Sequence, residues 1–293
     1  MNNPIGIISM FYARPFQKEQ FPLFARMKQC GMDFVELLVP EAGDFDVGEA
    51  RKVLEGEGLR VLLATRTNAE RDISSEDQTA RQGGIDYLNY SVNIAAELGA
   101  PLIGGPFYGS PLVFAGRAPV PVTENERQRR ISAVIDGLAQ VTSLAETVNV
   151  RLALEPVNRY ETDLVNTVRQ GTELVRMVSS PALGLLLDTF HMNMEEKDLP
   201  SAIRDAGDLL FHFQANENDR GFVGSGHVDW TGVSRALAAV SYTGGITLEP
   251  FRRTDERIGV PLAQWRAPLR DEDGDLRQSA DYLRTALQFG GAN

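Results

Sequence analysis

Soft metal ligands are scarce in this chain, which has one cysteine, Cys30, and three histidines in 293 residues. A lone cysteine excludes an intrachain disulfide and a cysteine-based metal cluster. No apolar run approaches the roughly 18–20 residues that a bilayer span requires. The N-terminus lacks a basic segment followed by an apolar core, so no secretory signal is expected and the location expected is cytoplasmic. Lys and Arg never gather into a long run, and 29 of them face 40 Asp and Glu, for a formal net charge of −11. That balance argues against general binding of nucleic acid or anionic membranes. Also absent are a P-loop, a dinucleotide-binding glycine turn, a Cys-x-x-Cys pair and a Gly-x-Ser-x-Gly nucleophile elbow.

What is present is a regular alternation. The apolar stretches Pro4–Ser9, Asp33–Val39, Leu59–Ala64, Pro101–Pro106, Arg151–Glu155, Leu183–Asp188, Leu209–Gln214 and Gly245–Glu249 read as strands. Helical patterns fall between them, with Asp46, Thr123 and Asn166 as N-caps. One short helix, about Leu199–Ala206, is expected between the sixth and seventh strands, and a final one over Leu276–Phe289. Eight strands alternating with helices and no low-complexity linker predict a single (β/α)8 barrel over residues 1–293, rather than an open doubly wound sheet. The Gly-, Pro- and Arg-bearing stretches at about 106–122, 217–230 and 251–275 read as loops over one end of it.

Several strands end in polar groups. Strand five closes with Glu155, strand six with Asp188 and strand eight with Glu249, each at the end of an apolar run and two of them followed by proline. A single acid in such a place is often a helix cap or an ion-pair partner. Three acids on three barrel strands converge on one mouth, where they repel each other unless a cation intervenes. Oxygen ligands favour Mn²⁺, Mg²⁺ or Co²⁺ over a structural zinc. Strand seven carries His212 and Gln214, two apart and therefore on one face at different heights. Ser9, Phe11 and Tyr12, together with Phe107 and Tyr108, are candidate pocket walls. His227 and Trp230 are expected to brace the loop after strand seven, and Arg252 and Arg253 offer thin evidence for a phosphate.

The segments Glu155-Pro-Val-Asn-Arg-Tyr-Glu161, Asp188-Thr-Phe-His191, Glu217-Asn-Asp-Arg220, Gly224-Ser-Gly-His-Val-Asp-Trp230 and Glu249-Pro-Phe251 resemble those of the ketose 3-epimerases. These include the tagatose and psicose (allulose) epimerases, within the xylose-isomerase-like sugar isomerase/epimerase superfamily. Gly105-Pro-Phe-Tyr108 and Trp265-Arg266 extend the likeness over most of the chain.

The resemblance implies a TIM barrel that binds a divalent metal, Mn²⁺ first with Mg²⁺ or Co²⁺ as alternatives, and inverts C3 of a ketose through a metal-stabilised cis-enediolate. It makes Glu155, Asp188 and Glu249 metal ligands, and Glu155 and Glu249 the acid/base pair. Glu161, His191 and Arg220 become holders of the sugar's oxygens, with His212 and Phe107 further substrate-binding candidates. The family has His-x-His on strand seven, its second His a metal ligand, and here Gln214 stands at that place. Gln214 is the preferred fourth ligand and His212 the other candidate.

Two further enzyme readings use the same enolisation. One is a lyase on 3-oxo sugars or 3-oxo glycosides, resembling the C-glycoside-cleaving branch, for which a partner subunit is possible; the other is an inosose or hydroxypyruvate isomerase. A non-catalytic sugar- or protein-binding barrel is the reading from another class. An endonuclease of the related type would use more histidines and a basic face. A small sugar substrate, no nucleic acid, no membrane and a homo-oligomer (dimer or tetramer) complete the expectations.

Overall fold

The computed structural model describes residues 1–65, 67–109, 120–251 and 271–290. Its strands are β1 Ile5–Ile8, β2 Phe34–Leu38, β3 Arg60–Ala64, β4 Leu102–Gly105, β5 Arg151–Leu154, β6 Leu183–Asp188, β7 Leu210–Ala215 and β8 Ile246–Leu248. They pair in parallel in chain order, and β1 also pairs with β8, so the sheet closes on itself as a (β/α)8 TIM barrel. Closure settles the architecture against the open sheet. Most strand residues are buried, as expected when helices cover the outside and side chains fill the inside.

The helices are α1 Pro22–Gln29, α2 Val47–Glu57, α3 Gln78–Leu98, α4 Glu124–Thr147, α5 Val168–Val178, α6 Thr189–Glu195, α7 Leu199–Ala206, α8 Trp230–Ala239 and α9 Glu272–Gly290. No helix among the described residues is long and apolar enough to cross a membrane. Local chemistry sets their starts. Asp46 accepts from the Glu49 N–H, and Thr123 from the Glu126 N–H. Thr167, not Asn166, caps α5: its hydroxyl accepts from Gln170 N–H while the Gln170 side chain accepts from the Thr167 N–H, a reciprocal capping box. The Asn166 amide instead donates to the Val157 and Thr162 carbonyls, fastening the loop after β5. Between β6 and β7 there are two helices rather than one. The extra one, α6, starts on Asp188, whose side chain accepts from Phe190 N–H.

The main apolar core lies between the barrel wall and the helices. A smaller cluster of Leu102, Ala153 and Leu186, with Leu62 and Phe211 against it, fills the inside of the barrel. Side chains alternate along a strand, so residues sharing parity with these face the axis. That parity takes Ala153 to Glu155 and Leu186 to Asp188, from apolar floor to polar mouth; on β7 it is His212, level with Leu186 after a register shift, that leads to Gln214.

At Gly105, φ is +135°, and a Cβ there would overlap the Thr65 carbonyl oxygen. Gly105→Ala should therefore cost about 2–5 kcal/mol, from strained backbone plus forced overlap. Gly56, inside α2 with open space where a Cβ would point, should gain about 0.5–1 kcal/mol on substitution by Ala. Urea unfolding of the two variants against the parent checks both signs.

Candidate active site

The mouth of the barrel, where strands hand over to loops, collects the three acids expected from the strand ends. Asp188 ends β6 and is completely buried; Glu155 follows β5, Glu249 follows β8, and each is 6% exposed. Asp188 is held by every atom of its carboxylate. Oδ1 accepts from Phe190 N–H at 2.9 Å and Asn216 Nδ2 at 2.8 Å, and Oδ2 accepts from Arg220 Nη1 at 2.7 Å. The same Nη1 donates to Glu249 Oε2 at 2.7 Å. One guanidinium nitrogen thus bridges two acids from different strands.

Arg220 reaches this position through an unusual turn. Its φ is +62°, rare for a side chain of its size, and its N–H donates to Glu217 O. Buried Glu217 folds the loop around itself, accepting from Gly224 N–H, Val228 N–H and Trp230 Nε1. Trp230 therefore braces the loop as expected, and the His227 N–H helps by donating to Asn218 Oδ1. The guanidinium lies between two rings, 4.2 Å from the Phe190 centroid and 5.0 Å from that of Phe251. Burial works against its charge, but Asp188 and Glu249 outweigh that and hold it firmly protonated.

His191, on α6, completes the group. Asn158 aims its backbone N–H (3.1 Å) and its side-chain Nδ2 (2.8 Å) at His191 Nδ1. Its Nε2 lies 3.4 Å from Glu155 Oε1, 3.6 Å from Asp188 Oδ2 and 2.9 Å from Arg220 Nη2, so a donor faces each ring nitrogen. Glu155, Asp188 and His191 do offer atoms within 4.8 Å of one another, the spacing of a metal site.

The acids feel one another. Burial, then Glu249 and Asp188, push the Glu155 carboxyl well above the usual carboxylate range. Burial likewise pushes Glu249 up to about 8, against the opposing pull of Arg220. Three carboxyls with one guanidinium between them leave room for further positive charge. The site also holds a spare donor: Gln214, opposite Asp188 across the β6–β7 pairing, has a buried Oε1 with no hydrogen-bond partner. Three carboxylates and an orphaned amide oxygen are what a hard divalent cation takes as ligands, so the residues present fit one.

A cavity of about 60 Å³ opens beside these groups, bordered by Glu155, Glu161, His191, Gln214, Arg220 and Glu249. The structure thus brings together most of the residues read from the strand ends and motifs. It places others elsewhere. His212 lies deeper in the barrel, with Nε2 2.9 Å from Glu36 Oε2. Phe107 is completely buried in the main core, and Pro106 borders the cavity in its stead. Ser9 and Phe11 are buried too, while Ile8, Met10 and Arg14 face the cavity. Tyr108 donates its hydroxyl to Val165 O. Arg252, Arg253, Trp265 and Arg266, and most of the 106–122 and 251–275 loops, lie outside the described residues. A larger cavity of about 650 Å³ occupies the opposite end of the barrel, but its one carboxylate, Glu55, is paired with Arg51.

Four site residues escaped the sequence reading. Asn158 and Asn216 sat inside quoted or adjacent motifs without a role, and Arg14 gave no signal in its loop. Glu36 did give one: a lone acid within Phe34-Val-Glu-Leu-Leu38, an otherwise apolar strand.

A model of the xylose isomerase-like TIM barrel family matches residues 24–286. An L-ribulose 3-epimerase of Mesorhizobium japonicum is 32% identical over 292 residues, covering 97% of this chain and 94% of that one. A D-psicose 3-epimerase of Agrobacterium fabrum is 27% identical over 291 residues, covering 96% and 98%. The solved D-psicose 3-epimerase of Clostridium cellulolyticum H10 with D-tagatose superposes with a TM-score of 0.88 at 25% identity, covering 97% of this chain and 99% of that one. Barrel, motifs and relatives named 3-epimerases agree along nearly the whole length, and the chain belongs to the xylose isomerase-like TIM barrel family.

Proposed function

We propose that this chain is a divalent-metal-dependent epimerase that inverts C3 of a free ketose, with Glu155 and Glu249 as the acid/base pair. The observation that carries this reading is the placement of two buried carboxyls, both with raised pKa, three strands apart around one mouth. Three strands of eight set them on opposing sides of whatever enters. Inversion requires that geometry: one group removes the C3 proton from one face, and the other delivers a proton to the opposite face.

The remaining side chains orient the sugar. His191 and the Arg220 guanidinium face oxygens next to the reacting carbon, where negative charge develops as the C–H bond breaks. Glu161, at the cavity's edge, accepts from sugar hydroxyls. Glu155, Asp188, Gln214 and Glu249 would hold the cation, for which Mn²⁺ is the first choice. When bound, it draws these carboxyls to their ionised form and stabilises charge on the substrate carbonyl oxygen. Relatives named L-ribulose and D-psicose 3-epimerases support a ketose substrate.

Glu155→Gln and Glu249→Gln should each lower the exchange of C3 hydrogen for solvent deuterium by about 10²–10⁴-fold, the range for a positioned proton transfer. Mass spectrometry of D-fructose, D-psicose and L-ribulose incubated in D₂O reads this directly. Lack of exchange at C3 of every ketose tried would refute the assignment.

Protonation linkage adds a second test. In the metal-free chain Glu249 keeps its proton up to about pH 8, whereas unfolded it loses it in the ordinary carboxylate range. The folded state therefore binds the extra proton, and this group's contribution to stability falls as pH rises from about 4.5 to about 8. Mn²⁺ titration should release more protons at pH 6 than at pH 9, as calorimetry in buffers of different ionisation enthalpy will measure.

A further inference from the structure

Glu36 is the one strand acid that none of the mouth chemistry uses. It sits in the middle of β2, completely buried. Its Oε2 lies 2.9 Å from His212 Nε2, which is also 3.0 Å from Thr247 Oγ1, and its Oε1 accepts from Gln214 Nε2 at 3.2 Å. Around the closed barrel, β1 and β8 separate β2 from β7. Both bonds therefore cross the interior, and a crossing of that kind fixes side chains rather than strand pairing.

We propose that Glu36 is a positioning residue for the cation, acting through the orientation of the Gln214 amide; this rests on the metal site described above. An amide has a donor end and an acceptor end, and only the acceptor can bind a cation. The Glu36 oxygen takes the donor end, so Gln214 Oε1 is left facing away from it, buried and without a partner. Rotating the amide by half a turn sets oxygen against oxygen at Glu36 and aims the NH₂ group at the cation. Glu36 disfavours both. The four side chains proposed to hold the cation offer three carboxylates and one amide oxygen, none of them a nitrogen or sulfur donor. Such a set selects Mn²⁺ or Mg²⁺ over Zn²⁺ or Ni²⁺. A Gln at this position is therefore workable because a carboxylate waits beneath it, and His212, which spans Glu36 and Thr247, keeps that carboxylate in place.

Glu36→Gln is isosteric but offers Gln214 a donor as readily as an acceptor, so the amide loses its preferred direction. Mn²⁺ affinity, measured by the electron paramagnetic resonance signal of the free ion, should fall by about 10–100-fold, as removal of an outer partner of a ligand does. The exchanged pair Glu36→Gln with Gln214→Glu restores one donor facing one acceptor and leaves an oxygen toward the ion. It should recover affinity lost by Glu36→Gln and bind Mn²⁺ more tightly than Gln214→Glu alone, which adds the same carboxylate but sets it against Glu36; extra charge by itself does not predict that difference, and the comparison carries the test if Glu36→Gln folds poorly. Wild-type Mn²⁺ affinity in Glu36→Gln, or an exchanged pair no tighter than Glu36→Gln or Gln214→Glu alone, overturns the proposal while leaving the metal site standing. A wild-type chain that binds no Mn²⁺ overturns both.

Discussion

Charge placed where water is excluded is the constraint on which this molecule turns. Isolated carboxylates buried in a barrel mouth are too costly to keep ionised. The chain meets that cost by bringing Arg220 between Asp188 and Glu249, with a single nitrogen 2.7 Å from each. The rest of the mouth can be understood as support for that arrangement. Glu217 holds the turn in which Arg220 adopts a left-handed backbone, and Phe190 and Phe251 sandwich the guanidinium. Asn216 and the start of α6 satisfy the remaining oxygen of Asp188.

The neutralisation is incomplete, and that is what makes the site chemically useful. Glu155 and Glu249 remain poised to take up protons because burial, and after it the neighbouring acids, disfavours their charge more than one guanidinium offsets. A group in that condition is ready to accept a proton from carbon, to give one back, or to exchange it for a cation. Stability and reactivity therefore draw on the same residues, an ordinary tension at active sites. Deeper in the barrel the same problem has a different answer. Glu36 is paired with His212 and Gln214, and the pairing leaves Gln214 Oε1 and His212 Nδ1 buried without hydrogen-bond partners.

The barrel was legible because its signal is local. An apolar strand, a turn and an amphipathic helix each follow from side-chain order, and eight repetitions leave few architectures open. Element boundaries moved by a few residues, and α6 was missed because Asp188 serves both as strand end and as helix cap. Asn166 was misread as a cap since Asn and Thr are both good caps and stand side by side; the Gln170 side chain decides for Thr167. Phe107 and Ser9 show the limit of judging a wall from proximity to a strand end. Inward and outward alternate residue by residue, and only the closed barrel fixes the parity.

By itself, the sequence determined which residues could carry the chemistry, since three acids ending three strands of one barrel converge on one mouth, where a single one could be only a helix cap or an ion-pair partner. It also determined that no cysteine cluster shares the work, and that Gln214 stands where an imidazole was expected. Tertiary structure alone decided what each of these residues meets. Arg220 bridges acids 32 and 29 residues away in the chain, and Glu36 reaches across the barrel to Gln214, 178 residues distant. Such pairings follow from closure of the sheet, which brings β2 and β7 within three places of each other around the barrel, with side chains of both reaching into the interior. No pattern within either strand encodes that distance, because it is a property of the circle and not of the line.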